Sequence, residues 1–508
     1  TSDTLTVVKN LILGGIKVDL SQSGDQVTTF NGNSNTAVQT NFENVDLSGI
    51  TGSFGAEAIA IKGGSKITGT PNVDVLTGGA GVDSFVFKAH GDLFNSTTNK
   101  LIDDISGGGS DDAISIKNHF GTTFTISSSN DWSDNLSSVE TIKAYGGSGQ
   151  AIQINLNNNA YDSGIRTVDL ATDIDADGVN IINVAAENGT SSPYTLKGSA
   201  GVDIITGGAS IDTITGGAQD DVIVGGGGAD SLKGDAGDDT FKFATAAEMF
   251  STSSGVSTLV DTIDGGADAD SIAIAGGMTI PAGLTWAGAS NLEKIVPIAT
   301  STSAFSITLS DAAYDTAGIH TVDLTADTTE GTEVNIINVN AESGTSNGYT
   351  LTGGAKKDTF TGGAGVDTIR GGALTGADTI RLVNQSRELS SNAFKDDIDL
   401  GGGTDKFLID TSSNGGYTIA SGVSWARALN VEDIVVSDGT TGVISISLHA
   451  NAYEKGLRKV DLNDDDDGNT GVNIVDARLV IDDGASTPGP ATITVVGSTG
   501  IDKITGTA

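Results

Sequence analysis

The sequence contains no cysteine, only 6 prolines in 508 residues, and 26 lysines and arginines against 65 aspartates and glutamates. Each shortage excludes something. Without cysteine there is no disulfide and no thiol nucleophile, so a chain folding in an oxidising compartment must be clamped another way. So few prolines exclude a disordered proline tract. The net charge of −39 and a pI near 4.1 exclude nucleic acid as a partner, because phosphate binding needs a basic footprint. No apolar run approaches the roughly 20 residues of a membrane span.

Catalytic signatures are missing too. The four histidines, His90, His119, His320 and His449, are scattered, and neither an H-E-x-x-H helix nor a G-x-S-x-G elbow occurs. The glycine runs lack the G-K-[ST] ending of a phosphate loop. Carboxylate pairs abound, but a general acid needs a raised pKa in a cleft, and these carboxylates recur in repeated loops. The reading is therefore not an enzyme.

What the chain has in abundance is ordered glycine. From Gly198 to Lys242 it reads GSAGVDIIT, GGASIDTIT, GGAQDDVIV, GGGGADSLK, GDAGDDTFK, five nonapeptides without interruption. Glycine opens each unit, aspartate is sixth (Asp203, Asp212, Asp221, Asp230, Asp239), and an apolar residue is eighth (Ile205, Ile214, Ile223, Leu232, Phe241). Glycines let the first six residues turn sharply and point carbonyls inward. The last three alternate outward, inward, outward, so the eighth side chain enters a core. Successive units then lie on opposite walls of a flattened coil, and units two apart stack. One rung cannot be stable alone; stacking makes the core continuous. A flexible glycine linker would not keep the eighth position apolar.

Stacked loops of carboxylates and carbonyls repel one another without a counter-ion. Calcium, which accepts many oxygen ligands in flexible geometry, suits them better than magnesium. About twenty divalent ions would cancel the net charge, an upper-end figure for loops of this kind. The units resemble the G-G-x-G-x-D-x-U-x repeat of the repeats-in-toxin (RTX) family, most closely its surface-layer and adhesin members. The resemblance implies an all-β fold, a parallel β-roll or β-solenoid with calcium-binding turns, interleaved with β-rich spacer rungs and short helices.

The same units occur elsewhere. GTPNVDVLT and GGAGVDSFV contribute Asp74 and Asp83, and the looser GGGSDDAIS contributes Asp112. A later block contributes Asp358, Asp367 and, in an eleven-residue variant, Asp378. Closing loops add Asp270 and Asp405, and a fresh roll begins with Asp502. First-position glycines Gly78, Gly207, Gly216, Gly225, Gly234 and Gly362 are expected to line the ion sites with these aspartates. Lys356 and Lys357, beside Asp358, predict weak binding there.

A second, longer period is superimposed. Trp132, Trp286 and Trp425 are separated by 154 and 139 residues; Glu140, Glu293 and Glu432, like Tyr161, Tyr314 and Tyr453, by 153 and 139. This predicts an N-terminal β-rich segment (1–68), a short roll with its closing loop (69–131), a module with a five-nonapeptide roll (132–285), one with a three-nonapeptide roll (286–424), and a last module (425–508). The recurring tryptophans and tyrosines read as core packing. Within each module, short strands suit wide solenoid rungs or a small sandwich. The solenoid is favoured, because the YTL strand enters the first nonapeptide without a linker. A helical turn is expected at SDAAYDTAG, with Ser310 as its N-cap and Gly318 as its stop.

An acidic turn recurs after the TVDL strand. DIDADG (Asp173, Asp175, Asp177) opens like an EF-hand loop, but Val184 stands where the twelfth-position glutamate belongs, so an EF-hand is not supported. Its equivalents are DTTEG from Asp327 and DDDDGN, with Asp465 and Asp467. These are second candidates for metal, against a merely solvated turn.

The N-terminal stretch lacks the features of a signal peptide, and the chain stops three residues into a new nonapeptide, so both ends are expected to be cuts within a longer protein. The combined expectation is an extracellular, bacterial cell-surface protein, type I secreted, holding several calcium ions. It would self-associate into a lattice or filament and meet cell-surface polysaccharide. The alternatives are an adhesin stalk or the non-catalytic part of a secreted RTX enzyme.

Overall fold

The computed structural model describes residues 3–506 apart from 8–14, 23–24, 36–38, 41, 51–54, 60–63, 118–122, 147–149, 175–177, 330–331, 373–375, 391, 412–414, 438–441, 464–471, 479 and 481–491. Two compact units emerge. One comprises Thr1–Lys242 with Val260–Asp270, the other Phe243–Leu259 with Ser271–Ala508.

Both are parallel β-solenoids. In the first unit one wall climbs from Thr4–Thr6 through Ser84–Phe87, Ala113–Ile116, Thr141–Ala144, Thr167–Asp169, Thr195–Lys197, Thr213–Ala218 and Ser231–Ala236 to Thr262–Ala267. A facing wall runs from Phe124–Ile126 through Ile152–Asn157, Asn180–Ala186, Asp203–Thr206 and Val222–Val224 to Thr240–Phe243. A third sheet of this unit holds Ile16–Asp19, Ala56–Ile59, Val75–Thr77 and Asp104–Ser106, and an antiparallel hairpin, Val27–Phe30 with Asn33–Ser34, extends it beside Ile16–Asp19. In the second unit the two main walls carry Lys294–Pro297, Thr321–Asp323, Thr350–Thr352 and Thr368–Arg370, and Ser306–Ser310, Val334–Ala341, Lys357–Thr361 and Thr379–Leu382.

Rung width separates roll from spacer. In the roll, Ile204 pairs with Val222 and Thr195 with Thr213, an offset of 18 residues, or two nonapeptides per turn. In the spacer the Ile152 amide reaches Asn180, an offset of 28. The spacer strands are therefore wide solenoid rungs, continuous with the roll. The extra residues go into the acidic turn and a helical turn. In the second unit that turn is Ala313–Ala317, closed by Gly318 at φ 92°. Ser310 does not cap it, because Ser310 ends the preceding strand. In the first unit the equivalent Asn158–Asp162 is capped by the Asn157 side chain.

The core follows the eighth-position rule. Ile205, Ile214, Ile223 and Phe241 are fully buried and Leu232 nearly so. Each such side chain contributes about 1.5–3 kcal/mol by burial. Trp132, Trp286 and Trp425 are buried in the spacer cores, with Phe94 and Phe394 packed edge-on against the first and last. The tyrosines differ: Tyr161 and Tyr314 are only half-buried, stacked edge-on against buried Tyr194 and Tyr349.

Candidate metal centres

Stacking brings the sixth-position aspartates into columns. In the second roll the Asp203 amide donates to Asp221 Oδ1 (2.7 Å), Asp221 to Asp239 (2.8 Å), and Asp239 to Asp270 (2.8 Å). On the opposite wall Tyr194 donates to Asp212 (2.7 Å), Asp212 to Asp230 (2.7 Å), and Asp230 to Asp261 (2.8 Å). Each carboxylate thus accepts the amide of the residue one rung earlier, which fixes the register of the stack.

The other rolls repeat the arrangement. In the first, Asp74 donates to Asp103 and Asp83 to Asp112, whose amide meets Glu140 Oε2 (2.9 Å). In the third, the columns are Asp358, Asp378, Asp405, then Glu432, and Asp367 with Asp396. Asp502 pairs in register with Asn473 and takes the Ser498 amide in its own loop. Lower in the stack, asparagine takes the aspartate's place: Asn180 lies in register with Asp203, and Asn335 with Asp358. There the neutral amide donates to Ser199 Oγ from Asn180 and to Asp358 Oδ1 from Asn335.

Three members of these columns escape the nonapeptide pattern: Asp103, Asp261 and Asp396. Long insertions replace the glycine pair that announces the other loops. Only the D-x-I remnant survives (Asp103-Asp104-Ile105, Asp261-Thr262-Ile263, Asp396-Asp397-Ile398). Glu140 and Glu432 were visible as a long-period repeat; their place at the column end was not.

The oxygens fit a hard cation. Asp221, Asp230 and Asp239 are buried, and Oδ2 of each has no hydrogen-bond partner, as also at Asp103, Asp112 and Asp405. The first glycine of each loop faces the place where such oxygens gather. A Cβ on Gly216 would lie 2.4 Å from Asp221 Oδ2 and 2.8 Å from the Gly234 carbonyl oxygen. One on Gly234 would meet Asp239 Oδ2 and the Gly265 carbonyl oxygen, and one on Gly78 would meet Asp83 Oδ2 and the Gly107 carbonyl oxygen. Gly207, Gly225 and Gly362 likewise face the Oδ2 of Asp212, Asp230 and Asp367; those of Asp212 and Asp367, like that of Asp83, also accept the amide of the loop's second glycine (Gly208, Gly363 and Gly79). Carboxylates and carbonyls without donors are the ligand set of calcium. Among the described residues no three acidic or histidine side chains converge, so backbone carbonyls must complete each site.

Electrostatics agree. Burial first, opposed by the Asp203 amide and reinforced by the Asp203 and Asp239 carboxylates, pushes Asp221 up to about 8. Burial likewise lifts Asp378 to about 8 and Asp230 and Asp239 to about 7. These are carboxylates lacking a counter-charge. Gly216→Ala is therefore expected to cost about 1–3 kcal/mol of stability in calcium, by overpacking the oxygens. Gly227→Ala, whose Cβ would meet nothing nearer than 3.6 Å, should stay within about 0.5 kcal/mol. Calcium-titrated melting curves of the two variants check this.

The acidic turns divide. Asp173 is buried beneath the first loop of the second roll, while Asp175, Asp177, Asp465 and Asp467 lie outside the described residues. Lys356 is not a surface competitor for Asp358: its fully buried ammonium is 2.5 Å from Asp327 Oδ2 and 2.5 Å from the Ser301 carbonyl oxygen. Asp358 itself stays raised to about 7, by burial above all.

A family model for the RTX calcium-binding nonapeptide repeat (four copies) matches residues 197–232, 206–241 and 350–380. Comparison with curated proteins and with solved structures returns no match. The matched segments are the second and third rolls, and the first roll is built in the same way. Repeat, register and unsatisfied oxygens converge: the second and third rolls of this parallel β-solenoid are RTX calcium-binding nonapeptide repeats, the class of repeat that holds Ca2+ in a β-roll.

Proposed function

We propose that the protein is a calcium-dependent extracellular structural protein, a self-assembling surface-layer or filament subunit that folds on calcium after secretion. The columns of buried, unneutralised carboxylates carry this reading. A chain of this charge cannot close its rolls where calcium is scarce, and closes them where calcium is millimolar, because ion binding adds to folding free energy. Spacer rungs continuous with the rolls favour a rigid scaffold over a hinged catalytic domain. Among the described residues no helix is long and apolar enough to cross a membrane.

Electron microscopy of the purified chain before and after calcium addition tests the proposal. Ordered sheets or filaments appearing with calcium are expected. Monodisperse rods at every concentration would replace it with an adhesin stalk that presents a binding domain.

A further inference from the structure

The carboxylate columns of the second and third rolls have an acidic residue beneath their first nonapeptide loops, supplied by the spacer. The Asp173 carbonyl accepts the Ala200 amide (3.1 Å), as the Asp327 carbonyl accepts that of Ala355 (2.9 Å). On the opposite wall the Glu187 carbonyl accepts the Ala209 amide (3.2 Å). A Cβ on Gly208 would lie 3.5 Å from Glu187 Cβ, and one on Gly363 3.2 Å from Glu342 Cβ. Four equivalent places result: Asp173 and Glu187 under the loops of Asp203 and Asp212, Asp327 and Glu342 under those of Asp358 and Asp367. All four acidic residues are buried.

At Asp327 the chain supplies its own cation, the Lys356 ammonium, wedged between that carboxylate and the Ser301 carbonyl. Lys356 is the fourth residue of its loop. The fourth residues of the other three loops are Gly201, Ser210 and Gly365, none of which carries charge.

At Glu187 and Glu342 the consequence is visible. Oε1 accepts the Gly189 amide (2.8 Å) in one and the Gly344 amide (2.5 Å) in the other, while Oε2 of each is buried with no hydrogen bond. The hydroxyls of Tyr194 and Tyr349 in the same two modules are buried and unsatisfied as well. Beside Glu342 the Asp311 carboxylate lies within hydrogen-bonding reach and adds like charge, bringing a further oxygen but no cation. Arg387 there donates to the backbone carbonyls of Asn340 and Glu342 and leaves Oε2 alone. The same orphaned carboxylate oxygen, twice, calls for a cation rather than a chance cavity.

We propose that a divalent cation binds at the roll entrances, held by Glu187 with the loop of Asp212 and by Glu342 with the loop of Asp367, and that Lys356 is its covalently attached substitute at Asp327. Calcium is the ion, since every donor is oxygen. These entrance sites lie outside the loop-to-loop sites of the nonapeptides.

The test counts calcium bound to the full chain by equilibrium dialysis and atomic emission. Glu187→Gln with Glu342→Gln should lose one ion per entrance. Lys356→Ser should gain one, at Asp327. Unchanged counts in both variants, with the unaltered chain still binding calcium through its loops, would overturn the entrance sites and leave the rolls intact. A chain that binds no calcium at all would overturn both readings. Should the double variant fail to fold, Lys356→Ser decides: a gained ion cannot come from unfolding, and the absence of a gain rejects the proposal.

Discussion

Chelating calcium at neutral pH should abolish most of the far-ultraviolet β signal, and acidifying the ion-free chain toward about pH 5 should restore part of it. The sign follows from the buried aspartates. In the folded, ion-free rolls, burial and then stacked neighbours hold Asp221 and Asp378 at about 8 and Asp230 and Asp239 at about 7. In the unfolded chain an aspartate titrates at about 3.9. A folded pKa above the unfolded one gives stability that is complete below the unfolded value and lost as pH rises through the folded value. The ion-free rolls are thus weakest above about pH 7–8, where Asp221, Asp230, Asp239 and Asp378 are ionised. Calcium reverses this by binding the folded state alone, which adds about 2.7 kcal/mol per site at a hundredfold excess over Kd. Circular dichroism and melting in chelator and in calcium, at acidic and alkaline pH, give the comparison. An unchanged spectrum and melting temperature in chelator at neutral pH would refute calcium-dependent folding.

Substituting Asp221 should separate the two roles of a column carboxylate. Asp221→Asn keeps an amide oxygen to accept the Asp203 N–H, as Asn180 does for Ile152 in the spacer. It removes the charge that faces Asp203 and Asp239. The ion-free variant should therefore melt higher than the unaltered chain, while calcium should stabilise it less. Asp221→Ala removes both functions and leaves a buried N–H unpaired, at about 1–3 kcal/mol, so it should be weaker in calcium and in chelator alike. The sequence marks Asp221 as the one aspartate shared by two same-side pairs in this block. The structure extends that column to Asp270 and the other to Asp261, so Asp239 and Asp230 are also flanked on both sides. Asp239→Asn should then behave like Asp221→Asn, and Asp203→Asn, at the column start above Asn180, should have the smallest effect. Paired melts with and without calcium check the ranking; indistinguishable effects at Asp203, Asp221 and Asp239 would reject the column.

The nonapeptides were legible because each carries its own turn and strand. Glycine at the first position, aspartate at the sixth and an apolar residue at the eighth are local requirements, and they already imply a stacked roll and a cation. Trp132, Trp286 and Trp425 announced the longer module for a similar reason, since every copy must fill the same wide core. What faces what across rungs is not local. It depends on how many residues each turn of the coil consumes: 18 from Asp203 to Asp221 in the roll, 26 from Thr141 to Thr167, 28 from Ile152 to Asn180 and 30 from Phe305 to Asn335 in the spacers, and 31 from Asp230 to Asp261 across an insertion. That is why Asp103, Asp261 and Asp396 join the columns without the glycines that mark their neighbours, and why the recurring Glu140 and Glu432 turn out to be column ends. It is also why Lys356, which in sequence sits beside Asp358, ties itself to Asp327, 29 residues earlier. The amino-acid sequence by itself determined the rung and its appetite for calcium. Only the tertiary structure decided which carboxylates share an ion, because stacking register depends on the lengths of turns that carry no repeat.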